Sequence, residues 1–336
     1  MLVIDDGSTD DVEGTIAPYL ADKRIKLAKQ THKGLGSGRN HGVALAQGDY
    51  ICFLDGDDLF LPHKLETCLQ QIEKGQIVYS GMTLIDSEGK ELYSFDTGPG
   101  YSPENFLAEM LFRNQVIPST VMARSTCAKT ELSVEGMTGM EEYDLFLRWA
   151  ERYTFTYIPQ RLVKYRRHSR AVSLSSQAAV WKEKELIRSY GHERIHEIVW
   201  RTTYPESKKR LLYGKILCKI DAYAEALTAL QGVELPLVFF YQGNCLLALD
   251  RAEEAKQAYL KAIALDPHNA AAYNNLGVAY GRLGRLENAK EQWETAIRIR
   301  PGYMDAELNL GGRPEHLPFK VTERELRENL MFYQVK

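Results

Sequence analysis

The stretch Tyr50–Phe60, YICFLDGDDLF, decides how the first half of the chain is read. Tyr50-Ile51-Cys52-Phe53-Leu54 is a short apolar run that breaks abruptly into Asp55-Gly56-Asp57-Asp58. A buried strand whose carboxyl end opens onto solvent or a ligand gives that pattern. Carboxylates so crowded repel one another unless a cation or a hydrogen-bond network compensates. Hard divalent ions such as Mg²⁺ or Mn²⁺ take oxygen ligands, bridge to phosphates and need only one or two protein carboxylates. On these residues alone a metal–phosphate site and a solvated acidic turn are equally open.

Outward from that stretch, strand-like and helix-like pieces alternate. Leu2-Val3-Ile4 reads as a buried strand, followed by a Gly7–Asp10 turn and a helix near Val12 to Tyr19. Ile25–Leu27 suggests a second strand, and GLGSGRNHGVALAQG (34–48) a glycine-rich loop running into a short helix. A helix is expected from about Pro62 and a strand at Gln76–Ser80. Such alternation predicts an α/β domain with a largely parallel sheet, in which ligands bind beyond the carboxyl ends of the strands. Both aspartate clusters, Asp5-Asp6 and Asp55/Asp57/Asp58, fall at such ends.

From about Gln177 the pattern becomes almost continuously helical. Gly243 and Gly277, Ala255 and Ala289, Tyr259 and Trp293, Ala262 and Ala296, and Pro267 and Pro301 are pairs 34 residues apart. An imperfect earlier copy, GKILCKIDAYAEAL (214–227), aligns with GNCLLALDRAEEAK (243–256). Small residues at helix crossings and aromatics at packing positions with this period resemble the tetratricopeptide repeat. Asn244, Asn274 and Asn275 fall on the first helices, the usual concave side. The organisation expected is a domain over 1–200, helical repeats over 205–312, and a tail over 313–336 whose Leu326 and Leu330 suggest an amphipathic helix covering the last repeat.

Composition narrows the function classes. The 44% hydrophobic and 26% charged content is that of a globular chain, and the net charge of -3 argues against a general nucleic-acid binder. Five scattered cysteines without a CxxC suit reduced thiols. With no signal-peptide pattern and no transmembrane segment, a cytoplasmic location is expected, either free or peripheral to the inner face of a membrane.

Five motifs occur in one order: IDDGSTDD (4–11), GSGRNHGVALAQGDYICFLDGDDLF (36–60), VIPSTVMAR (116–124), MEEYDLFLRWA (140–150) and YRRHSRAVSLS (165–175). Together they resemble the family-2 glycosyltransferases, inverting enzymes of GT-A fold that use nucleotide-sugar donors. The resemblance covers roughly residues 1–175, and it implies a Rossmann-like domain lacking its first βα unit. It also implies that Asp6 receives the nucleobase with Asp5 beside it, that Asp55 contacts ribose or metal, and that Asp57 is the main ligand of Mn²⁺ or Mg²⁺. Arg39 would bridge carboxylates or reach a phosphate, and His168 would approach the metal or diphosphate. Asp58, Glu141 and Arg167 are secondary candidates.

The family usually has Glu-Asp at the start of the helix that supplies the general base; here Glu141-Glu142 stands there, so Glu142 takes the base position with one extra methylene. The residue-level alternatives are helix capping for Asp5 and Asp6, a helix-dipole carboxylate for Glu142, and a solvated basic loop around His168. The partners implied are a nucleotide-sugar, a saccharide, lipid or protein acceptor, and a protein or second copy at the repeats; no nucleic acid is expected. The rival reading is a catalytically impaired transferase-like domain serving as a repeat-based scaffold.

Overall fold

A computed structural model of the chain describes residues 1–95, 101–137, 139–167, 177–312 and 319–324. The chain divides into two compact units, Met1–Thr203 and Tyr204–Lys336.

The first unit is α/β. It begins with β1 (Leu2–Asp5), α1 (Val12–Ile16), β2 (Lys26–Lys29), α2 (Leu35–Leu45), β3 (Tyr50–Cys52), β4 (Leu59–Phe60), α3 (Lys64–Ile72) and β5 (Ile77–Ile85). β6 (Glu91–Phe95), α4 (Pro103–Phe112), β7 (Val121–Arg124), α5 (Ser125–Thr130), α6 (Glu141–Arg152), β8 (Phe155–Arg166), α7 (Gln177–Arg188) and α8 (His192–Trp200) follow. β1 and β2 form a parallel pair in register Leu2 to Lys26. The larger sheet runs β3-β7-β5-β8-β4, with β6 also paired to β5.

Parallel pairing runs through its longest ladder, β5–β8, from Ile77 opposite Phe155 to Ile85 opposite Arg166. The shorter ladders of β3, β4, β6 and β7 are antiparallel. Connection length explains one of these, the β5–β6 pair. β5 and β6 are joined by a tight Asp86–Lys90 turn, closed by Asp86 N–H to the Lys90 carbonyl at 3.0 Å, and a turn that short joins only antiparallel neighbours.

β5 is buried along its whole length, as a central strand covered on both faces must be. Its own Tyr79 packs against Phe106 and Phe155, which stack on each other at 4.5 Å. Cys68, Ile72, Val78, Met122 and Ile158 fill the other cluster.

Among its described residues the second unit carries helices and no strand: α9 (Glu206–Lys219), α10 (Tyr223–Leu230), α11 (Pro236–Ala248), α12 (Ala252–Leu265), α13 (Ala270–Arg282), α14 (Leu286–Ile299) and α15 (Met304–Gly311). They pair as α9/α10, α11/α12 and α13/α14, and one packing device recurs. A Cβ at Gly214 would stand 2.6 Å from Leu230, one at Gly243 would stand 2.5 Å from Tyr259, and one at Gly277 would strike Trp293. The imperfect first copy is therefore a structural repeat, with leucine where the later copies carry an aromatic ring. Its turn agrees: Asp221 and Asp250 both take positive φ, as Gly284 does in the third copy. Gly243→Ala is expected to destabilise the repeats by about 1–3 kcal/mol, since the Tyr259 ring has nowhere to retreat. The repeat transition in a urea titration reads this out, and an unchanged midpoint would refute it.

Among the described residues no helix is long and apolar enough to cross a membrane. Leu326 and Leu330 lie outside the described residues.

Candidate active site

The site is assembled where β1, β3 and the start of α6 meet the glycine-rich helix α2. Gly36 lets α6 approach: a Cβ there would be 3.2 Å from Cγ of Glu141. Glu141 is buried, and its carboxylate turns back to accept the Gly139 N–H at 2.5 Å. That ties its carboxylate to the backbone just before the helix start.

Its neighbour Glu142 points elsewhere. Arg39 of α2 donates from Nη1 to Glu142 Oε2 at 3.4 Å and from Nη2 to Asp55 Oδ1 at 2.9 Å. Two carboxylate candidates, 16 and 103 residues from Arg39 in sequence, thus share one guanidinium. Arg39 keeps only 12% side-chain exposure, while Asp55 and Glu142 retain 32% and 29%. Burial alone would lower the Arg39 pKa; Asp55, then Glu142 and Glu141, outweigh it and raise it above the ordinary value. Asp55 is held by its backbone too, donating its N–H to Ser119 Oγ at 3.1 Å. Asn40, next to Arg39, exchanges two 2.9 Å hydrogen bonds with the Ser133 backbone and locks α2 to the segment before α6.

The other two aspartates diverge. Asp58 is buried, accepts the Arg166 N–H at 2.9 Å, and has an Oδ2 atom without a hydrogen-bond partner. Burial, with the nearby Asp55 and Asp57 charges adding, pushes its pKa up to about 6 against the opposing Ser119 hydroxyl and Arg166 N–H. Asp57 is exposed. Its carbonyl accepts Arg166 Nε at 2.9 Å, and the same guanidinium reaches the carbonyls of Asp86 and Ser87. Arg166 therefore fastens the Asp55–Asp58 loop to the end of β8. The basic run signalled charge there, and the hydrogen bonds show that Arg166 is the arginine that holds the loop. Arg167 is half-buried and bonds through its N–H to the Ile85 carbonyl; His168 lies outside the described residues.

Asp6, expected to face a nucleobase, holds a loop. Its carboxylate accepts Gln30 Nε2 at 2.7 Å, Lys33 N–H at 2.9 Å and Gly34 N–H at 2.8 Å, with His32 Nδ1 at 3.0 Å. Burial pushes its pKa up, but Gln30 first and then these partners together hold it below the ordinary carboxylate value. Asp5 accepts the Ser8 N–H at 2.9 Å, which lowers its pKa, and Asp11 caps α1 through the Gly14 N–H. Asp5 and Asp6 thus shape the turn after β1 and the approach to α2.

Sequence reasoning missed Lys64. It is fully buried at the start of α3, and its Nζ donates to the Thr120 carbonyl at 3.0 Å, fixing the Pro118–Thr120 turn that carries Ser119. Burial lowers its pKa, opposed by Cys68 and Cys52. A base with a depressed folded pKa makes the unfolded state bind more protons in the window below the ordinary 10.5, so stability rises with pH through that window. Lys64→Met is expected to abolish that rise; identical melting-versus-pH slopes for both proteins would contradict it.

A divalent cation can be tested against this donor set. Among the described residues no group of three or more His, Cys, Asp or Glu could hold a metal alone. An ion shared with a diphosphate needs only one or two protein carboxylates. Exposed Asp57, partly exposed Asp55 and the unpartnered oxygen of Asp58 fit such an ion.

Residues 1–128 match the family described as Glycosyl transferase family 2. Residues 243–284 and 270–303 match TPR repeat and Tetratricopeptide repeat families. The chain therefore carries a family-2 glycosyltransferase domain at its N-terminus, followed by tetratricopeptide repeats. An uncharacterized glycosyltransferase of Rickettsia conorii is 32% identical over 168 residues, 49% of this chain and 28% of that protein. Chondroitin synthase of Escherichia coli is 31% identical over 160 residues, 46% of this chain and 23% of that protein. The chain spans about a quarter of the length of the first curated relatives it matches. S. aureus TarS 1-349 in complex with UDP-GlcNAc superposes with a TM-score of 0.48 at 14% identity, covering 90% of this chain and 83% of that one.

Proposed function

We propose that the N-terminal domain transfers a sugar from a nucleotide-sugar donor to a hydroxyl acceptor with inversion at the anomeric carbon. The observation that carries this reading is Arg39, which ties Asp55 to Glu142. One guanidinium thereby links a carboxylate of the strand-end cluster to a carboxylate at the start of α6. Glu142 is the general base. Its carboxylate takes the acceptor hydroxyl proton as that oxygen bonds to the anomeric carbon, and the bond from that carbon to the diphosphate oxygen breaks. The electron pair leaves with the nucleoside diphosphate. When bound, a divalent cation at Asp57, Asp55 and Asp58 would neutralise charge on that leaving group. His168 is its further candidate partner, and Arg167 stands next in sequence. Asp5 and Asp6 serve the nucleotide side by fixing the loop around Gln30–Gly34, and Glu141 holds the α6 start in place.

The repeats are proposed as a protein-binding surface. The transferase reading is tested with the full chain, a panel of nucleotide-sugars and Mn²⁺, by following nucleoside diphosphate release with and without saccharide acceptors. Failure of every donor to bind or turn over would overturn it.

A further inference from the structure

Residues 319–323 lie across the asparagines of the repeats. Asn309 and Lys320 exchange two backbone-directed bonds, Asn309 Nδ2 to the Lys320 carbonyl at 2.8 Å and Lys320 N–H to Asn309 Oδ1 at 2.6 Å. Asn275 does the same with Thr322, at 2.9 and 2.8 Å. The two asparagines lie 34 residues apart in sequence, one repeat, and read alternate residues of the crossing segment. Asn244 adds bonds to the carbonyls of Thr322 and Glu323, both at 3.1 Å, and Asn274 adds one to Lys320 at 3.1 Å.

The asparagines are themselves held in place. Tyr259 donates to Asn244 at 2.7 Å, Asn275 donates to Asn244 at 2.8 Å, and Asn309 donates to Asn274 at 3.0 Å. All four are buried. A buried amide that loses its partners costs much more than one never desolvated. A row of them is therefore suited to a chain backbone and ill suited to an apolar helix.

Two side chains of the segment, Phe319 and Thr322, are held by specific contacts. Phe319 sits 5.2 Å from the Trp293 ring, against Gly281, where a Cβ would come within 2.5 Å of it. Thr322 donates to Asp305 at 2.9 Å, accepts from Asn274 at 3.1 Å and bonds the Tyr303 hydroxyl.

We propose that this face is an extended-peptide site for a segment of a partner protein carrying an aromatic residue and, three positions on, a threonine or serine. Residues 319–323 occupy it in cis. The inference rests on the repeats being a protein-binding surface and is independent of the transferase reading. Backbone-directed bonds make the site tolerant at the other positions, while the Gly281–Trp293 recess and the Tyr303–Asp305 pair set the two it reads. An intramolecular segment on a short connection acts at an effective concentration of order millimolar. A partner segment therefore competes against it and binds the intact chain weakly until the cis segment is weakened.

The test uses the full chain and a fluorescein-labelled peptide PFKVTER, the sequence of residues 318–324. The variant Phe319→Ala/Thr322→Ala weakens the cis segment and leaves the face intact. It is expected to bind the peptide at least about tenfold more tightly than the unmodified chain by anisotropy, and adding Asn275→Ala should cancel the gain. A peptide with alanine at both read positions should not bind. Equal affinity of variant and parent, or a gain that survives Asn275→Ala, overturns the proposal. Should the variant unfold, hydrogen exchange on the parent decides: excess unlabelled peptide should deprotect the Lys320 and Thr322 amides, and unchanged protection overturns the site. Release of the cis segment without peptide capture also overturns it, yet leaves the repeats free to bind a partner on another face.

Discussion

Glu142→Gln lowers turnover by about 10²–10⁴-fold while leaving donor affinity within a few-fold, because an amide keeps the shape of the side chain and loses the proton acceptor. The geometry makes this a sharp test. Glu142 stands beside Glu141, and the sequence alone lets either serve as base. Glu141 is buried with its carboxylate on the Gly139 N–H, so Glu141→Gln should act on the stability of the α6 start and change the chemical step far less. Glu142 keeps 29% side-chain exposure and faces Arg39.

Glu142→Asp discriminates further. It withdraws the carboxylate by about 1 Å, and the aspartate then present is the residue the resemblance assigns to this position. If the surrounding site is adapted to the longer side chain, activity drops; if it retains the family's usual spacing, activity holds or rises. Steady-state kcat and KM with a competent donor separate these outcomes. A Glu142→Gln enzyme keeping more than about a tenth of parental kcat would remove Glu142 from the base role.

The sheet, the helices and the repeats were legible because each leaves a periodic trace. Tyr50–Leu54 announces β3 by its apolar run, and five residue pairs at one spacing announce the helical repeats. The degenerate first copy was readable through Gly214, since close helix crossing demands a missing side chain whatever the partner residue.

What stayed hidden was the direction in which polar side chains turn. Asp6 and Asp55 look alike in sequence, each ending a strand. Yet Asp6 is surrounded by the N–H groups of Lys33 and Gly34, whereas Asp55 meets a guanidinium. Lys64 gave no signal, because a lysine opening a helix normally faces water and only the packing of α3 buries it. The tail was expected over the last repeat, but the contacts of 319–323 were not readable, because most of its ties are backbone amides, which every residue possesses.

Arg39→Met should cost activity nearly as much as removing the base, about 10²-fold or more in kcat/KM, and should destabilise the domain by about 1–3 kcal/mol. Two carboxylates that now share a cation would then face each other across the vacated space, while the methionine preserves the packing of the arginine stem. Asp55 and Glu142 are each about one-third exposed, so water relieves part of that repulsion and keeps the stability cost below that of a fully buried pair. Arg39→Lys should not rescue activity. A single ammonium can replace the 2.9 Å bond to Asp55 or the 3.4 Å bond to Glu142, but it lacks the planar fork that spans both. The double variant Arg39→Met/Glu142→Gln tests whether the two residues act as one unit. If Arg39 works by positioning the base, the second substitution adds little to the first, and the losses fall well short of additive. Fully additive losses would show that Arg39 serves the donor alone, and parental activity in Arg39→Met would dismiss it from the site.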